Sequence, residues 1–214
     1  MNPVIIVLSR SGIRYLLAAI LCGVAGALCA PFSLKIEMAQ SNPVVVVGLA
    51  ELAALALACT GLIVMRPRLW SVDRLGVTRR RWIPTACVTV LSLVCPQLVL
   101  AGADVVALPA GTWPPSATTV LFLTGLGLLL APYTGALRAT GVVLTLYVGL
   151  VLASQISHDV RLWSPLVAVT WPTVSGAPLG KVVLAWIVAA AALVVQIRTL
   201  GSTMRTWRSE LNAS

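Results

Sequence analysis

Few residues in this chain have the chemistry for a reaction or a binding site. Of 214 residues only 6 are Asp or Glu and one is His, against 15 Lys and Arg. Glu51 stands inside a long apolar run, GLAELAALALA. A carboxylate at membrane depth costs roughly 2.5–3.5 kcal/mol on insertion scales. It is therefore expected to face other helices or a cavity. Three roles fit: a cation or proton site, a polar contact to cargo, or an interhelical hydrogen bond. Glu51 lies about a third of the way into its predicted span, so a shallow, partly wet position also fits.

The second polar feature is the stretch from Arg66 to Trp82, RPRLWSVDRLGVTRRRW, with six arginines and one aspartate in seventeen residues. Leu69, Val72 and Leu75 form an apolar stripe at helical spacing, with Arg68 and Arg74 elsewhere on the surface. Such a segment suits a short amphipathic helix that lies on the membrane or docks on a partner protein. It equally suits a basic anchor bound to anionic lipid. Asp104, His158, Asp159 and Arg161 fall together on the opposite side of the predicted topology, where they read as solvated loop residues. Cys22, Cys29, Cys59, Cys87 and Cys95 all lie in apolar runs without CxxC or Cys/His spacing, so they read as small buried residues, with no metal site. No Walker A sequence, HExxH, GxSxG or Asp-rich metal motif is present, and an enzyme is not expected.

The elements that position these residues follow from composition. The chain is 59% hydrophobic and 10% charged, with mean hydropathy +0.99. Soluble domains carry about 25% charged residues, so lipid is the expected solvent. A spanning helix needs ~20 apolar residues to cross a hydrocarbon core of roughly 30 Å. The runs predict an all-α, polytopic membrane protein of one domain, residues 1–214. Six transmembrane helices are expected at about 12–32, 43–65, 83–103, 116–137, 139–156 and 181–197. The first run is long for a signal peptide and is read as a retained helix. Its Ala19, Gly23 and Ala27 form a small-residue seam that permits close helix approach. Pro96 is expected to kink the third span. Arg138 marks the turn between the fourth and fifth. Residues 157–180, broken by Pro165, Pro172 and Pro178, fit either an outer re-entrant hairpin or a loop resting on the membrane.

Charge sets the orientation. With the N-terminus inside, twelve basic residues fall on the cytoplasmic side and only Lys35, Arg161 and Lys181 outside. This bias predicts both termini in the cytoplasm and a multi-pass protein of the cell membrane. The net charge of +9 is thereby explained without nucleic acid as a partner.

This layout resembles the six-span permease subunits of ABC exporters of the ABC-2-like class. The resemblance covers the whole chain and rests on topology. Pro3–Arg14 occupies the slot of an N-terminal interfacial helix, Arg66–Trp82 that of a cytoplasmic coupling helix, and Ser157–Gly180 that of an outer re-entrant hairpin. The resemblance implies export of a cargo between two permease subunits, of the same or different chains. It implies energy from a separate cytoplasmic ATPase that binds ATP and Mg, with no cofactor in this chain. Leu69, Val72, Asp73 and Arg74 are then the expected coupling residues, and Glu51 a residue of the translocation path. The alternatives are an ion- or proton-coupled carrier using Glu51, and a non-transporting accessory or immunity protein.

Overall fold

The computed structural model describes residues 12–29, 33–36, 45–64, 82–107, 115–156 and 179–200. These form six helices: α1 (Gly12–Cys29), α2 (Leu49–Val64), α3 (Trp82–Ala107), α4 (Pro115–Thr134), α5 (Ala136–Ile156) and α6 (Leu179–Thr199). α3, α4 and α6 are long and apolar enough to cross a membrane. The other three carry shorter apolar stretches, Tyr15–Ala25, Leu49–Ile63 and Ala136–Leu152.

Two boundaries depart from the sequence expectation. The second apolar run, expected to be helical from residue 43, is not helical over residues 45–48. Its β-branched valines form a strand, β2 (Val45–Gly48), paired antiparallel with β1 (Ser33–Ile36), so that Ser33 faces Gly48 and Ile36 faces Val45. Consecutive valines suit a pleated strand better than a helix start. The helical class holds, with this one ribbon added. The turn between α4 and α5 falls at Gly135, three residues before Arg138. Gly135 has φ 89°, a left-handed conformation that costs glycine nothing. Its N–H donates to the Ala131 carbonyl at 3.0 Å, and its own carbonyl accepts from the Ala139 N–H at 3.0 Å. Arg138 lies in the first turn of α5, exposed.

Three helices form the inside. α2, α3 and α4 pack on one another, α1 lies in the groove between α2 and α3, α5 between α2 and α4, and α6 between α3 and α4. Ala54, Cys95, Val99 and Val120 fill the centre and are wholly buried. The outer helices approach through small residues, where dispersion acts over the largest contact. The seam expected on α1 is used: Ala19 is wholly buried, and a Cβ on Gly102 of α3 would come within 3.0 Å of the Gly23 carbonyl oxygen. On α6 the buried Ala185, Ala189, Ala192 and Gln196 recur at helical spacing. Opposite them, a Cβ on Gly125 of α4 would meet the Ala189 Cα and N at 3.2 Å.

Large apolar side chains point outward. Leu17, Leu21 and Leu28 on α1, Val148 on α5, and Trp186 and Ile187 on α6 are all more than half exposed. Soluble proteins avoid such contiguous apolar faces. Four buried hydroxyls inside the bundle are satisfied within their own helices. Thr89, Ser92, Thr124 and Thr140 each donate to the carbonyl four residues back. Such internal satisfaction is what a membrane interior demands.

Gln196 is one of the few side chains that binds across helices, its Nε2 donating to the Leu128 carbonyl at 2.5 Å. Interhelical hydrogen bonds in membranes are worth ~0.6 kcal/mol on average. Gln196→Leu should therefore lower stability in detergent by about that amount, and unfolding titrations of the two proteins would show it. A loss of several kcal/mol would mean that Gln196 does more than bind Leu128.

Candidate functional site

Glu51 is the only carboxylate among the described side chains, and it is buried, 6% exposed. Because α2 starts at Leu49, Glu51 lies in its first turn. Within the helix it therefore stands nearer the start than the third of a span expected from the sequence. A carboxylate there faces unpaired backbone N–H groups and the positive end of the helix dipole, both of which favour its charge.

Its side chain points to α5. The Tyr147 hydroxyl donates to Glu51 Oε1 at 3.2 Å, across 96 residues of sequence. Tyr147 is itself buried, packed with Leu55, Cys59, Leu123, Val143 and Val151. The pair joins α2 to α5 in the middle of an otherwise apolar contact. A second tyrosine also reaches α2: Tyr15 of α1 donates to the Leu57 carbonyl at 3.0 Å. Gly61 makes room for that ring, since a Cβ there would stand 2.5 Å from the Tyr15 hydroxyl oxygen. Gly61→Ala is expected to dislodge Tyr15 and to cost about 1–3 kcal/mol, the usual range for overpacking. Thermal unfolding in detergent checks this, and Tyr15→Phe in the same background should recover part of the loss.

Two buried polar atoms have no hydrogen-bond partner in the described structure, Gln97 Nε2 on α3 and Thr118 Oγ1 in the first turn of α4. Of the cysteines, Cys59 and Cys95 are buried, Cys22 and Cys87 half-buried, and all four are free thiols. No group of three or more His, Cys, Asp or Glu suited to a metal occurs among the described residues.

Sequence reasoning found Glu51 but missed Tyr147. The available signal was the scarcity of tyrosine, with three in the chain, together with the rule that a buried phenol seeks a polar partner. Leu69, Val72, Asp73 and Arg74 lie outside the described residues, as do His158, Asp159, Arg161 and most of Ser157–Gly180. Asp104 lies in the last turns of α3. Comparisons with protein-family models, characterised proteins and solved structures find no match.

Proposed function

We propose that the chain is a six-span protein of the cytoplasmic membrane with both termini on the cytoplasmic side. In this reading it is the membrane-spanning permease subunit of an ABC exporter, paired with a second permease and driven by a separate ATPase. The observation that carries the reading is the filled centre of the bundle. Ala54, Cys95, Val99 and Val120 close the space among α2, α3 and α4, which favours passage of cargo between two subunits over passage through one. Six apolar helices in the expected order support it, as does the excess of basic residues on one side. The separation of α2 from α3 by the arginine-rich stretch leaves a segment suited to touch an ATPase.

Purification of the intact complex from native membranes tests the reading. The expected result is a co-purifying ATPase and two permease subunits. The triple variant Leu69→Ala, Val72→Ala, Arg74→Glu should weaken ATPase binding ~10-fold or more, equivalent to about 1.4 kcal/mol. A chain that purifies alone, with no ATPase bound at 66–82, would end this proposal.

A further inference from the structure

The buried pair of Glu51 and Tyr147 has a chemistry of its own, independent of any ATPase. Glu51 has one side-chain partner among the described residues, the Tyr147 hydroxyl. No lysine, arginine or histidine among the described residues pairs with it. Of the elements packed on α2, α1 brings Tyr15, which is engaged two turns away at Leu57. α3 brings Cys95, buried in the apolar centre, and Asp104 near its end. α4 brings Tyr133, which is exposed, and β2 is made of valines and Gly48. On α5, Arg138 is exposed and nine residues from Tyr147, about 13 Å along the helix.

A metal ion does not fit this pair. Calcium takes six to eight oxygens and magnesium about six, and here one carboxylate and one phenol converge. A proton does fit. Burial withholds water from the carboxyl, and the Tyr147 hydroxyl is the one side-chain donor among the described residues that reaches it. Leu49 is exposed and Gly48 half-buried, both within one turn of Glu51.

We propose that Glu51 and Tyr147 form a proton-binding site whose occupancy sets how firmly α5 is held on α2. With the carboxylate charged, the Tyr147 O–H donates to it in a charge-assisted bond. One proton added to the carboxyl leaves a neutral pair, joined by a bond about half as strong. No other group gains or loses a proton.

The test uses the whole chain in native membranes. A hydrophobic carbodiimide adds to a protonated carboxyl and leaves a stable N-acylurea, which peptide mass spectrometry locates. Labelling at Glu51 should fall ~10-fold or more between about pH 5 and about pH 9, along a single-site curve. Glu51→Gln should remove the label, and Tyr147→Phe should displace the midpoint. Sodium or calcium should leave the curve in place. Labelling that is absent at every pH, or constant across the range, would overturn the proposal. So would an unmoved curve in Tyr147→Phe, or a curve displaced by either cation. Co-purification of an ATPase bears only on the permease reading, so the two proposals stand or fall separately.

Discussion

Gly125→Leu should separate α4 from α6 and strongly destabilise the bundle. A Cβ at Gly125 would already stand 3.2 Å from the Cα and N of Ala189 and from the Val188 Cγ1. Two of those three atoms are backbone, which cannot rotate away, so the whole of α6 has to shift. Overpacking costs about 1–3 kcal/mol where side chains adjust, and more where they cannot. The shift would also disturb Ala185, Ala189 and Ala192, which are buried on the same face. Thermal unfolding in detergent measures the effect, and the control lies in the same protein. Gly141 and Gly149 of α5 have nothing within 4 Å of their added Cβ and are exposed. Leucine at either should cost no stability and should gain up to about 1 kcal/mol of helix propensity. Equal losses at all three glycines would contradict the described α4–α6 contact.

The second large effect concerns the pair between α2 and α5. Tyr147→Phe leaves a buried carboxylate without its phenol donor, and Glu51→Leu leaves a buried phenol without its acceptor. Each single change should cost about 1–3 kcal/mol, because an unmade buried hydrogen bond costs the desolvation of the group left behind. The double change removes both polar groups and should cost less than the sum of the two single losses, the difference being the energy of the pair. The coupling from the full cycle is expected near the ~0.6 kcal/mol average of such bonds in membranes. The bond length argues for that lower figure, since 3.2 Å exceeds the usual 2.5–3.0 Å of O–H···O bonds. Additive losses, with the double variant as weak as the sum, would mean that the two side chains do not interact.

The helices were legible in the sequence where length and hydropathy decide them. The third run was expected at 83–103 and forms Trp82–Ala107; the last was expected at 181–197 and forms Leu179–Thr199. Pro96 did not hide α3, because a helix in a bundle can carry an internal proline when its neighbours compensate. Residues 45–48 misled, since a run of valines is apolar whether it is strand or helix. Periodicity cannot separate the two over so few residues. The α4–α5 turn was placed at a charge, whereas backbone conformation put it at the glycine. The site was half legible: a lone Glu in an apolar run announces itself, but its partner is 96 residues distant. Only the packing of α5 into the groove between α2 and α4 brings Tyr147 there.

The joint at Gly135 also bears on how the protein is made. A single residue separates Thr134 from Ala136, and one residue reaches no more than ~3.6 Å. So short a joint holds the end of α4 beside the start of α5 at every stage, which in the proposed six-span reading favours their entering the bilayer together. The two should enter as one folded-back pair, with their mutual contact already made. A force profile recorded on the nascent chain should accordingly show one pulling event for residues 115–156, and not two.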